Sequence, residues 1–269
     1  MPNLKVGVVI LGDVPLDLPD EGLPDEFEAV IARIEVPRPR AFTPPPGVTG
    51  ELARLQTWWT SVSDGTVPRV ATLTSSPDLA DIVSAVVAGG AAADRACDEG
   101  ATLIVPRARE RQAVAALAVI GALTRTEASA ITFQAAGMTD REWIDRCAAV
   151  RDACVDVADV RAAPVDMLRI LDAPHIAFVV GALLASAARR TASLVEGTDE
   201  LAAALIADRL SFRAKEWWRA GSTSPDPARR SAVDRLAVNT GLPLALIDDD
   251  GRGADATVSL LQLLAAERG

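Results

Sequence analysis

The sequence contains no tyrosine, a single histidine and three cysteines, and aromatic residues occupy only 4% of its 269 positions. A planar ligand would therefore have to be held by aliphatic walls and a few polar groups. Cys97, Cys147 and Cys154 follow neither a metal-ligand spacing nor a disulfide framework. Cys147 and Cys154, seven apart on an expected helix, read as core-facing thiols. His175 follows Pro174 near a helix start, which suits a capping or surface role, and a Ser/His/Asp triad has no support. No apolar run reaches the roughly 20 residues that a membrane span needs; Ile176 to Ala188 fits a buried helix instead. The apolar stretch Val6 to Leu11 is short and Asp13 follows it, so no leader peptide is expected and the chain reads as cytoplasmic. Positive charge is scarce as well. Lys and Arg number 27 against 37 Asp and Glu, a net charge of −10, and no basic stripe of the kind a nucleic acid requires is present. A small phosphate-bearing ligand stays compatible with this acidity, because helix N-termini and single arginines bind anions locally.

What is abundant is apolar, 49% of the chain and much of it alanine, which favours closely packed helices. Short apolar runs alternate with helical patterns. Strands are expected at Lys5–Leu11, Arg69–Leu73, Ala101–Val105, Ser193–Glu196 and Leu242–Ile247. Helices are expected at 25–34, 51–62, 79–99, 109–123, 139–153, 176–190, 199–210 and 254–267, with shorter segments at 128–134 and 164–170. The 139–153 helix opens on Thr139, and Glu142 follows three residues later, which makes a capping box. Gly89-Gly90 interrupts the 79–99 helix and suggests a break, or a close approach by backbone or ligand, since each glycine costs about 1 kcal/mol relative to alanine. This alternation predicts an α/β fold with a mainly parallel sheet and helices on both faces. The expected division is an N-terminal strand and helix over 1–42, then an α/β domain over 43–269. Within it, 43–62 and the C-terminal helix form a small helical subdomain from the chain ends.

Six segments carry a family resemblance, in order along the chain. PPGVTGELARL at 45–55 is similar to a P-P-G-S-L-G-R-L-E-x-L segment, and AGGAA at 88–92 to a glycine-alanine helix opening. WIDRCAAV at 143–150 resembles a helix that follows a G-x-G-T-G loop. VGALLASAARR at 180–190, with Val195-Glu196-Gly197 after it, resembles an alanine-rich helix and a strand ending in Asp-Gly. AGSTSPDP at 220–227 looks like A-G-H-R-S-x-E-P, and DDGRGA at 249–254 like a terminal G-E-G-T-G-A. Together they resemble the nicotinate-nucleotide–dimethylbenzimidazole phosphoribosyltransferases, with several motif positions altered.

The resemblance implies transfer of ribose phosphate from nicotinate mononucleotide to a benzimidazole-type base, a step in assembling the lower ligand of cobamides. It implies no metal or other cofactor and a homodimer. Asp250 takes the place of the family's general base, a glutamate; a shift of one residue would put Arg252 there, and the plain alternative is a solvated acidic turn over 248–250. Gly251 and Gly253 complete that motif. The family's phosphate loop corresponds to Gly121–Thr126, where Gly121, Thr126 and the compensating Arg125 are candidates, or this segment is a helix end and turn. Gly89, Gly90, Gly137, Gly221, Ser222 and Ser224 complete the substrate-binding set, Ser222 standing where the family has histidine. Trp217-Trp218 could wall an aromatic base, or serve as core or dimer contacts. Because packing motifs are retained while phosphate and base contacts are altered, a non-catalytic paralogue that binds a nucleotide-like ligand or a family enzyme is the second reading.

Overall fold

The computed structural model describes residues 22–38, 40–44, 47, 49–79, 81–238, 240–245 and 252–266. The expected strand at 5–11 lies outside them. The chain opens with α1 (Asp25–Ala32) and α2 (Gly50–Ser63), then β1 (Val70–Thr74), α3 (Ile82–Asp98) and β2 (Leu103–Arg107). A long helical excursion follows: α4 (Ala113–Thr124), α5 (Ala128–Ile131), α6 (Asp140–Asp156), α7 (Pro164–Ile170) and α8 (Pro174–Ala188). The chain returns through β3 (Ala192–Val195), α9 (Thr198–Leu210), a 3-10 turn (Ala214–Trp217), β4 (Trp218–Thr223), α10 (Pro227–Leu236), β5 (Thr240–Ala245) and α11 (Arg252–Ala266). The five strands pair in chain order, and every pairing is parallel.

Successive residues are buried along β2 from Leu103 to Pro106, along all of β3, and along β4 from Trp218 to Ser222. Side chains alternate between the faces of a strand, so uninterrupted burial means that both faces are covered. One group of helices, α3, α8 and α9, packs on β1, β2 and β3, while α2 and α11 pack together against β4 and β5. Gln56 of α2 donates through Nε2 to the Leu264 carbonyl of α11, 3.4 Å away. α2 and α11 thus touch across the sheet end. β1 alternates between exposed and half-buried residues, as a sheet edge does.

The structure decides two alternatives that the sequence left open and corrects one expectation. First, α3 runs unbroken through Gly89-Gly90. A Cβ on Gly89 would overlap the Phe178 carbonyl oxygen of α8, and one on Gly181 of α8 would overlap the Val86 carbonyl oxygen of α3. The glycines therefore serve close backbone approach rather than a break. Gly90 faces the Phe27 ring of α1. Second, Trp217 and Trp218 do not lie on a helix surface. Trp217 is buried in the 3-10 turn and donates from Nε1 to the Glu35 carbonyl at 2.7 Å, and Trp218 opens β4 with 3% exposure. They are core residues, the second of the readings the sequence allowed. Third, His175 is buried, not a surface residue. Two elements were not anticipated, β4 and α10; the Gly-Ser-Thr-Ser-Pro run that obscured them ends in the Asp226 cap of α10, whose carboxylate accepts from the Ala228 and Arg229 amides.

The α3–α8 crossing generates a stability prediction. Gly181→Ala should destabilise the fold by about 3 kcal/mol, because backbone on the partner helix cannot move aside. Gly90→Ala should change stability by less than about 1 kcal/mol, since the Phe27 ring can swing and the helix gains propensity. Urea unfolding followed by tryptophan fluorescence measures both.

Candidate active site

A parallel sheet collects the carboxyl ends of its strands on one edge, where ligands of open α/β folds bind. Here that edge gathers Ser75 after β1, Arg107 at the end of β2, Glu196 after β3 and Ser222 near the end of β4. Glu196 is 1% exposed. Its Oε1 accepts from Ser222 Oγ at 2.9 Å and from the Arg229 guanidinium, which reaches in from the first turn of α10. Its Oε2 is buried without a hydrogen-bond partner among the described residues. That oxygen lies against Gly221 of β4 and Gly253 of α11, where no Cβ could fit. Thr257 holds α11 in place by donating to the Gly221 carbonyl at 2.7 Å. Burial pushes the Glu196 carboxyl above its usual range, opposed by Arg229, Ser222 and Arg107.

Glycine recurs one residue on for a different reason. Gly197 has φ +106°, a conformation other residues rarely adopt, and the Glu200 carboxylate fills the space its side chain would take. This turn lets α9 start immediately, so Asp199 and Glu200 both fall in its first turn and point at the β2–α4 loop. Glu200 Oε1 accepts from the Ala108 amide at 2.9 Å, and Asp199 Oδ1 accepts from the Gln112 amide at 2.8 Å. Ser75 Oγ accepts from the Arg109 amide at 2.8 Å and lies 2.9 Å from His175 Nδ1. The Gln112 side chain spans onward: Nε2 donates to the Asp172 carbonyl at 2.8 Å, and Oε1 accepts from the His175 and Ile176 amides at the start of α8. So the loop 107–112 is stitched to β1, α8 and α9. Burial raises the Glu200 carboxyl from 4.5 to about 7, with Asp199 adding to the rise and the Ala108 amide and Arg107 opposing it.

The residues proposed from sequence divide into separate places. Gly221, Ser222 and Gly253 gather around Glu196. Ser224 sits just beyond, where its Oγ accepts from the Asp226 amide at 3.2 Å. Gly121, Arg125 and Thr126 lie at the far end of α4 and line a different, open groove of about 870 Å³ between α4, α5 and α6, with Trp143, Ile144 and Val155 among its walls. An α-helix rises about 1.5 Å per residue, so α4 carries these residues away from the sheet edge where it begins. Gly137 is in an exposed turn at φ +86° with open space around it, and Gly89 and Gly90 are inside helix packing. Asp250 and Gly251 lie outside the described residues; β5 before them and α11 after them both pack against β4. Asp199, Glu200, Arg229 and the loop 107–112 were not singled out from sequence. The signal for the acids was available: Glu-Gly-Thr-Asp-Glu at 196–200 directly follows an apolar strand and opens a helix. Among the described residues no cluster of His, Cys, Asp and Glu is arranged to hold a metal ion.

A family model described as phosphoribosyltransferase matches residues 69–267, which take in every strand of this sheet. The chain belongs to that family. Among its relatives, the nicotinate-nucleotide–dimethylbenzimidazole phosphoribosyltransferase of Streptomyces avermitilis is 35% identical over 190 residues, covering 70% of this chain and 51% of the relative. The protein of the same name from Mycobacterium ulcerans is 34% identical over 184 residues, covering 68% and 51%. The chain thus spans about half the length of the curated relatives it matches. Two solved structures from Thermus thermophilus share the fold. CobT gives a TM-score of 0.63 at 24% identity over 68% of this chain and 55% of that one. A nicotinate-nucleotide–dimethylbenzimidazole phosphoribosyltransferase gives 0.66 at 17% identity over 91% and 95%. This family member therefore keeps the α/β frame while placing three buried acids, Glu196, Asp199 and Glu200, at the sheet edge.

The raised Glu200 carboxyl makes a stability prediction. A carboxyl whose folded pKa exceeds its unfolded value favours the fold when protonated, so its contribution is complete below about 4.5 and is lost as pH rises through about 7. Glu200→Gln keeps the acceptor for Ala108 and removes the charge. Its stability relative to the parent should therefore grow between pH 5 and pH 8 by roughly 2.5 kcal/mol. Parallel urea melts across that range measure it, and a constant difference would mean that Glu200 does not titrate there.

Proposed function

We propose that the chain transfers ribose phosphate from nicotinate mononucleotide to a benzimidazole-type base, at the carboxyl edge of β3 and β4. The observation that carries this reading is the convergence of buried Glu196, Ser222 and Arg229 with the bare backbones of Gly221 and Gly253, in a member of a phosphoribosyltransferase family. The two glycines let the Glu196 carboxylate sit against the backbones of β4 and α11, and its contacts with Ser222 and Arg229 fix these side chains at the strand ends. In the transfer, a ring nitrogen of the base attacks C1 of the ribose, the bond from C1 to the nicotinate nitrogen breaks with its electron pair going to nicotinate, and a carboxylate takes the proton from the attacking base. Asp250 is the proposed proton acceptor. Glu196 is the proposed positioning residue, fixing Ser222 and Arg229 beneath it.

Gly121, Arg125 and Thr126 line a groove of their own, and Thr126 Oγ1 lies 3.2 Å from Ser231 Oγ of α10, the helix that also carries Arg229; the proposed transfer assigns them no step. The second reading, a non-catalytic chain that binds a nucleotide-like ligand or a family enzyme, is favoured by one observation: acids from α9 already hold the amides of the β2–α4 loop. A homodimer is proposed with either reading.

Incubation with nicotinate mononucleotide and dimethylbenzimidazole should release nicotinate. Asp250→Asn should slow that release by roughly 100-fold or more while nucleotide affinity stays within a few-fold. An unchanged rate removes Asp250 from the mechanism, and ligand binding without any release selects the non-catalytic reading. Light scattering should give twice the 28.2 kDa mass of the chain, and a 28.2 kDa particle at micromolar concentration would exclude the dimer.

A further inference from the structure

We infer that Asp199 and Glu200 are built-in anions that close the β2–α4 loop to phosphate, so that a phosphate group enters there only by displacing the Glu200 carboxylate. The inference rests on the phosphoribosyl reading, because closure matters for a substrate that carries phosphate. In a parallel α/β sheet the turn from a strand into a helix presents free amides and the positive end of the helix, which together form an anion seat. Here three of those amides are already taken from within the protein. Ala108 donates to Glu200, Arg109 to Ser75 and Gln112 to Asp199. Gln112 precedes α4 but does not cap it with its own side chain, which is committed to α8. The start of α4 borrows a carboxylate from α9 in its place.

These acids do more than a structural acceptor would need to. A glutamine at 200 would accept from Ala108 equally well and would carry no charge. Glu200 is 4% exposed, and its second oxygen has no hydrogen-bond partner among the described residues and abuts Gly197. An ionised carboxylate held in this way is costly, and the half-satisfied oxygen marks the group that yields first. The surrounding charges are balanced. Asp199 flanks Glu200 on α9, Arg107 faces it from the end of β2, and Arg111 approaches from the loop, 3.9 Å from Asp199 Oδ2. Across β3, Glu196 is paired with Arg229 of α10. His175, from the start of α8, faces Ser75 and Glu110. The three buried carboxylates thus meet three guanidiniums, the exposed Glu110 faces His175, and a doubly charged phosphate would add uncompensated negative charge in a buried setting. Protonation of Glu200, whose carboxyl titrates near neutrality, removes one of those charges.

The test uses inorganic sulfate, which has the shape of phosphate but keeps its charge between pH 6 and pH 8.5, titrated calorimetrically into the full chain. The parent protein should bind sulfate at least tenfold more weakly at pH 8.5 than at pH 6. Glu200→Gln should bind it at least tenfold more tightly than the parent at pH 8.5 and lose most of the pH dependence. Amide NMR locates the event: the Ala108 resonance should move with sulfate in Glu200→Gln at pH 8.5 and stay still in the parent. Equal parent affinities at the two pH values overturn the inference without any variant, as does a sulfate response in Glu200→Gln that leaves Ala108 unmoved. Nicotinate release separates this inference from the proposed activity. Release with no gain in sulfate binding sinks the closed seat alone, whereas an opened seat with no release sinks the activity alone.

Discussion

Two helices touching backbone to backbone govern the arrangement of this protein. Gly89 of α3 lies under the Phe178 carbonyl of α8, and Gly181 of α8 lies under the Val86 carbonyl of α3. The contact is reciprocal, so neither helix can shift along the other without a clash. Because α3 joins β1 to β2 and α8 runs directly into β3, this crossing sets where three strands end relative to one another. The Ser75–His175 contact, between the end of β1 and the start of α8, exists only at that spacing. So does the Gln112 bridge from the β2–α4 loop to the first amides of α8.

The edge built on this frame concentrates charge where the core would otherwise be apolar. Glu196, Asp199 and Glu200 are each at most 4% exposed, a state that costs folding free energy unless partners compensate. Compensation is uneven. Glu196 shares one oxygen between Ser222 and Arg229, whereas the Glu200 carboxylate meets the amides of Ala108 and of its own residue. Burial carries Glu200 to about 7, and the neighbouring Asp199 adds to the rise. The carboxyl ends of parallel strands are where ligands of open α/β sheets bind, and buried groups with shifted ionisation are candidates for such a site.

Much of the frame could be read from residues alone. The apolar runs at β1, β2 and β3 lie between helical patterns, and Thr139 with Glu142 marks the start of α6 through a capping box that is present. β4 escaped because Trp218–Thr223 mixes aromatic, charged and small residues, and its strand character comes from neighbours on both sides and not from its own pattern. α10 escaped because its apolar face is only a few alanines and Leu236. The site was legible in part. Gly221, Ser222 and Gly253 were singled out, and they meet at Glu196. The 121–126 segment, proposed by motif shape, closes α4 and lines a separate groove, joined to the Arg229 helix through the Thr126–Ser231 contact. Asp199 and Glu200 look like ordinary first-turn acids in sequence. Only the glycine at 197, which turns α9 inward, makes them buried.

The strands pair in the order in which they occur along the chain. Each new strand from β2 onward finds its partner in the strand synthesised just before it, so the sheet can grow in one direction as the chain emerges from the ribosome. α2 is the exception. It precedes every strand but packs on β5 and α11, the last elements to appear. Its buried Leu55 and Trp59 must therefore wait through the emergence of the whole sheet with their apolar surface uncovered. Until α11 docks, this apolar face of α2 is open to aggregation and to chaperone capture during synthesis.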